Sequence, residues 1–246
     1  GFATPKANVS EALVDYQNAH NIFRMNKELR KQAIALRQIG SLYREAGDLK
    51  TAIRYDEQST EIYQNDPALE VTSLNNKGTA FDQSKQFSNA ELEYRRALAI
   101  AKKMGNKIYQ SSILRNIARV QIESGKFSAA RTTLALAESY DPRNQHSPVV
   151  ALRAQLLYQE GETLRAAELI NGYFRGVDLK KTGIDDRDSH STAFAVSRAL
   201  GIYDLALSHL EALKRLDDKT ASLTASANTA LMSARFDYAN QNAKIA

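Results

Sequence analysis

Cysteine and tryptophan are missing from all 246 residues of this sequence, proline occurs 4 times, glycine 11 times, and no long apolar run is present. Without cysteine there is no disulfide framework, thiolate metal site or cysteine nucleophile. The redox compartment stays open, because such a chain suits cytosol and periplasm alike. No stretch approaches the roughly 18 apolar residues that a transmembrane helix needs. The opening GFATPKANVS has no signal-peptide pattern, so a soluble chain is expected. Gly1 in place of Met points to a processed or engineered start, compatible with a removed targeting segment. Scarce proline and glycine indicate long helices with little punctuation. Pro5, Pro67, Pro142 and Pro148 all fall between periodic apolar segments, where a proline interrupts nothing.

Chemistry-bearing patterns are missing as well. His20, His146, His190 and His209 show no paired metal spacing. The stretch SGKFS around Gly125 is no phosphate loop, since Val120 stands where the earlier glycine belongs. No nucleophile elbow occurs. Glu91/Glu93 and Asp217/Asp218 sit where solvated helix faces or ends are expected. The reading is of a non-enzymatic chain without metal or cofactor.

What is present is 43% hydrophobic residues, enough for a sizeable core, and 33 Lys+Arg against 28 Asp+Glu, for a net charge of +5. The isoelectric point near 9.3 lies in the range of nucleic-acid binders, which concentrate their charge on one face. Here both signs mix, as in EYRR, KKMGNK and KRLDDK, which fits a solvated helical surface and not a nucleic-acid footprint.

One phrase recurs along the chain: GSLYREAGDLKTAIRY, GTAFDQSKQFSNAELEY, ARVQIESGKFSAARTTL, AQLLYQEGETLRAAELI and FAVSRALGIYDLALSHL. Its register is carried by Ala52, Ala90, Ala130, Ala166 and Ala206, separated by 38, 40, 36 and 40 residues. A half unit, SEALVDYQNAHNIF, sets Ala12 one period upstream. Such a period marks a repeat architecture. Each unit reads as two antiparallel helices. Leu74, Gly78 and Phe81 fall on one helical face, and Ala90, Tyr94, Ala97 and Leu98 form the facing stripe. Small residues at Gly40, Gly78 and Ala118 let the paired helix approach. Tyr43, Phe81, Tyr94, Leu134 and Leu157 fill the remaining space, so the aromatic stripe is core packing. The polar stretch DLKKTGIDDRDS lacks the ligand spacing of a calcium loop. It reads as a connection in which Asp188 or Ser189 caps the next helix.

The pattern resembles the tetratricopeptide repeat, with its small residue in the first helix, turn glycine, alanines in the second helix and frequent closing proline. Those roles fall on Gly40, Gly47 and Ala52; Gly78, Ala90 and Ala97; Ala118, Gly125, Ala130, Ala137 and Pro142; Gly161 and Ala166; and Gly201 and Ala206. No unit has the family's tryptophan, Asp56 stands at a usually aromatic position, and Lys85 replaces a turn glycine. The period is similar to the longer-helix variety of kinesin light chains and bacterial peptide-sensing regulators. The resemblance implies an all-α fold, a right-handed α-solenoid of antiparallel helix pairs forming one domain over 1–246. Its parts would be a half repeat at 9–32, repeats at about 33–66, 71–104, 110–142, 147–176 and 188–216, and a terminal helix at about 219–246.

In that family the first helices line a concave groove. The corresponding positions are Arg37, Ser41 and Arg44; Asn75, Thr79 and Asp82; Arg115, Arg119 and Ile122; Gln155 and Tyr158; and Arg198. Asn76 and Asn116 stand where related repeats set an amide against a bound peptide backbone, which its paired donor and acceptor suit. Arg37, Arg115 and Arg119 would favour an acidic peptide or protein partner.

From about Ser222 the chain reads as a helix with Leu223, Ala227, Leu231, Ala234, Tyr238 and Ile245 on one stripe. It would cap the solenoid or offer a dimerisation surface. The phrase SARFDYANQNAKIA is similar to the junction of bacterial sensor proteins, where a coiled coil, membrane helix and diguanylate cyclase or histidine kinase follow. This implies the periplasmic sensor region of a membrane-tethered signalling protein. The alternatives are a freestanding cytosolic scaffold or chaperone-like adaptor and, third, a nucleic-acid-binding regulator.

Overall fold

The computed structural model describes residues 5–64, 66–140 and 147–245, with side chains described between 9 and 233. Pro142 and His146, and the side chains of Ala234, Tyr238 and Ile245, lie outside the described residues. Among those described there are helices and no strand. The helices are α1 (Pro5–Met25), α2 (Leu29–Glu45), α3 (Leu49–Ile62), α4 (Pro67–Gln83), α5 (Phe87–Lys103), α6 (Lys107–Glu123), α7 (Phe127–Glu138), α8 (Pro148–Gln159), α9 (Thr163–Tyr173), α10 (Arg187–Ala199) and α11 (Tyr203–Ile245). A 3-10 turn at Ile184–Asp186 precedes α10.

Local sequence sets the helix starts. Asp48, Asp66, Asn106 and Ser147 each accept a backbone N–H of the first turn. Pro67 and Pro148 occupy the first helical position, where the missing N–H costs nothing. The turns inside pairs share one form: Gly47, Gly125, Gly161 and Gly201 have φ of 79°, 73°, 85° and 73°. Lys85 makes the same turn at φ 57° without glycine. The Gln86 N–H still reaches the Phe81 carbonyl at 2.8 Å, as the Asp48 N–H reaches that of Tyr43 at 2.9 Å.

Packing follows the repeat. Ala52, Ala90, Ala130 and Ala166 are wholly buried, and Ala206 nearly so. A Cβ at Gly78 would lie 2.5 Å from Tyr94 Cε1. Tyr94 is itself fully buried and donates its hydroxyl to Thr79 Oγ1 at 3.1 Å, so its ring has no room to yield. Glycine is what lets α4 and α5 close on each other.

The chain forms two compact units, residues 1–100 with 221–246, and residues 101–220. The first has a core of Leu13, Ile39, Leu42, Tyr43, Ala46 and Ala52 joined by Ala227 and Leu231 of α11. The core of the second gathers Ala151, Ala154, Leu157, Ala166, Ala167, Ile170, Tyr173, Phe174, Ala193 and Val196. Helix α11 runs for 43 residues without a break, so nothing interrupts the chain where a fifth pair would end near 216. Helix α10 opens at Arg187, ahead of Asp188 and Ser189, which lie in its first turn. The Asp186 carboxylate before it accepts from Tyr173 Oη at 2.8 Å and from the Gly183 N–H at 3.1 Å.

Candidate functional site

In the second unit, α8 packs against both α6 and α10, so it forms a floor between two walls. Pro148, Ala151, Leu152 and Gln155 share one face of α8, three and four residues apart. Arg115, Asn116 and Arg119 of α6 form one wall; Asp185 of the 3-10 turn, with Asp188, Ser189 and Thr192 of α10, forms the other. Ile184, Arg187 and Thr220 complete a cavity of about 710 Å³. Four of the residues read from the sequence, Arg115, Asn116, Arg119 and Gln155, thus meet around one space. Gln155 Nε2 also donates to Glu123 Oε1 at 3.0 Å, and Arg115 Nη2 to Ser112 Oγ at 3.4 Å. Tyr158 instead packs against the apolar core, Ile122 is buried, and Arg198 lies over the Phe194 ring at 5.6 Å.

In the first unit, Arg37, Ser41 and Arg44 lie on α2, and Asn75, Asn76, Thr79 and Asp82 on α4. Arg44 Nη2 donates to Ser41 Oγ, Thr79 Oγ1 donates to the Asn75 carbonyl, and Asp82 is buried. Asp56 of α3 organises part of this set. Its side chain is fully buried, with Arg44 Nη1 at 4.0 Å from Oδ2 and neither carboxylate oxygen within hydrogen-bonding geometry of a partner. Burial pushes its carboxyl up to about 7, opposed first by Arg44 and then by Asn76, Arg37 and Lys77. None of these residues lines a cavity of about 580 Å³ in the first unit, which Gln17, His20, Gln32, Tyr55 and Gln58 help to form.

Two groups were not legible as functional or structural sites. Asp185 and Asp188 read as part of a bland connection, yet they stand opposite the arginines. The signal was positional: the acidic stretch runs directly into the first helix of a pair. His190 and His209, on α10 and α11, are buried and joined Nδ1 to Nδ1 at 2.9 Å beneath Phe174. His190 Nε2 meets Thr182 Oγ1 at 2.8 Å, and Arg215 donates to Thr182 Oγ1 and to the Thr182 and Leu179 carbonyls. Burial lowers the pKa of both rings, that of His209 to about 4. The network pins the 178–183 connection to α11. Among the described residues no group of three or more His, Cys, Asp or Glu could hold a metal ion, and no helix is long and apolar enough to cross a membrane.

Residues 7–65 and 71–104 match models of the tetratricopeptide repeat. No curated protein matches the chain. Among solved structures it is similar to BtubC (BKLC) from P. vanneervenii, with a TM-score of 0.65 at 16% identity over 89% of this chain and 93% of that one. It is also similar to pilF of Pseudomonas aeruginosa, with a TM-score of 0.53 at 19% identity over 85% and 93% of the two chains. A Podosopora anserina protein with nearly identical TPR-like repeats gives a TM-score of 0.54 at 16% identity over 76% and 95%. At these identities the likeness is one of fold. The chain carries tetratricopeptide repeats, and its helix pairs make an all-α solenoid of that kind.

Proposed function

We propose that this chain is a non-enzymatic binding module that seats an extended peptide or protein segment bearing an acidic side chain. A tetratricopeptide fold suggests a protein–protein interaction module, and proteins of this kind are typically non-catalytic scaffolds. The observation that carries the reading is the meeting of Arg115, Asn116 and Arg119 with Gln155, from different repeats, around one open cavity. Guanidinium groups match carboxylates in a planar, two-pronged fashion. Amides offer a donor and an acceptor to a backbone whatever its side chains. Replacing Arg115→Ala together with Arg119→Ala is expected to weaken binding of labelled synthetic peptides that carry a single acidic side chain about tenfold or more, measured by fluorescence anisotropy. The thermal midpoint should stay where it was, and unchanged affinity would overturn the reading.

The likeness of SARFDYANQNAKIA to the junction in bacterial sensor proteins, together with the uninterrupted α11, supports a place in a larger bacterial signalling protein. There the module would act as the sensor or interaction region. A natural reading frame continuing into a membrane span and an output domain is expected; one that stops would favour the freestanding cytosolic scaffold.

A further inference from the structure

The two walls of the second unit's cavity carry opposite charge. On α6 stand Arg115 and Arg119; at the start of α10 stand Asp185 and Asp188. Arg187, between those carboxylates, gives its Nε to Asp217 and its Nη1 to Asp188. Its charge is therefore already answered, and that wall remains acidic. Between the walls the floor is mostly apolar, made by Pro148, Ala151 and Leu152, with Ile184 at the mouth.

We infer that this cavity reads a three-part pattern in its partner: an acidic side chain against α6, an apolar one on α8, and a basic group against the start of α10. This rests on the proposed peptide-binding role and specifies what kind of segment fills it. A uniformly acidic segment would set a carboxylate against Asp185 and Asp188, and like charges at close range are strongly disfavoured. Spacing follows from helix packing. Neighbouring axes lie about 8–10 Å apart, so α6 and α10, on either side of α8, are separated by roughly 16–20 Å. Long arginine side chains take up part of that distance. An extended segment rises about 3.3 Å per residue and turns alternate side chains to one face, so the three anchors fall at i, i+2 and i+4, about 13 Å end to end. The cavity volume lies within the range, roughly 300–1,000 Å³, of sites that enclose small ligands, enough for these side chains and not for a folded partner.

The test uses four peptides of one length on the intact chain: Glu-Ser-Leu-Ser-Lys, Glu-Ser-Leu-Ser-Glu, Lys-Ser-Leu-Ser-Lys and Glu-Ser-Ser-Ser-Lys, with blocked ends, followed by titration calorimetry. The first is expected to bind about tenfold tighter than each of the others. In Arg115→Glu/Arg119→Glu protein the preference should pass to the doubly basic peptide, and in Asp185→Lys/Asp188→Lys protein to the doubly acidic one. A gain of affinity for a new peptide cannot come from a folding defect. Should a variant fail to fold, the wild-type series alone decides. Equal or tighter binding of the doubly acidic peptide by wild-type protein overturns the three-part pattern and leaves the peptide-binding role standing. If neither peptide carrying an acidic residue on a leucine core binds, the role assigned to this cavity falls as well.

Discussion

Asp56 shows how a departure visible in the sequence can acquire a physical meaning only in the fold. Its place at a usually aromatic position marked it as a departure from the repeat, and the structure turns that departure into a buried carboxylate beside Arg44. Its folded pKa of about 7 lies above the ordinary 3.8, because burial outweighs the nearby cations. The folded state therefore holds this proton more tightly than the unfolded chain. The contribution is fully present below the unfolded value of 3.8 and is lost as pH rises through about 7. Asp56→Asn should remove that slope and stabilise the first unit at pH 8, by at most about 4 kcal/mol. Urea midpoints at pH 5 and pH 8 check this: a wild-type midpoint that does not fall between them would show that water reaches the carboxyl. Lys85 is the second residue where the sequence departs from the repeat, and there the backbone keeps the glycine conformation at φ 57°. Gly40 and Gly78 needed no correction. A Cβ at Gly40 would meet the Ala52 carbonyl oxygen at 3.2 Å, and one at Gly78 would enter the Tyr94 ring, so both mark a close approach.

At the scale of elements, the helices were legible because apolar positions recur three and four apart and each pair turns at a left-handed residue. Periodicity also puts Arg115 and Arg119 on one side of α6, since residues four apart share a helix face, and both line the cavity with Gln155; that this side faces a binding groove is what the tetratricopeptide resemblance implies. What no periodicity encodes is a contact between elements that are irregular or distant in sequence. The 178–183 connection is one such case, held by Arg215 and the buried histidines. The His190–His209 pair accommodates one proton between its Nδ1 atoms and not two. Asp186 favours the charged form of His190 and Arg215 opposes it, while burial dominates for both rings. With folded values below the ordinary 6.5, the unfolded chain takes up protons first. Stability of the second unit should be full above about pH 6.5 and fall as the pH drops toward about 4, the value for His209. Ring resonances followed by NMR are expected to titrate below the normal range in step with that loss. Titration of His209 at its ordinary value would show the pair open to water.

On the scale of the whole molecule, the two units differ in how the chain builds them. Residues 101–220 are continuous, whereas the first unit needs residues 221–246 in addition to residues 1–100. Leu231 is nearly wholly buried in a core with Leu13, Ile39 and Tyr43. Leu231→Ala should cost about 2–5 kcal/mol, the range for a large-to-small change in a close-packed core. Hydrogen exchange ought to report it in α1 and α2, and leave α8 and α9 as protected as before. Equal loss in both places would mean that the units unfold as one. Contacts so far apart along a chain are slow to form, since the intervening segment must be brought round first. On a ribosome the order becomes explicit. The part made first must wait with its apolar face open while the whole of 101–220 is translated, until Ala227 and Leu231 of α11 emerge to join its core. Translation that halts before Ala227 would thus leave its damage near the amino-terminal end of the protein, far from the point where synthesis broke off.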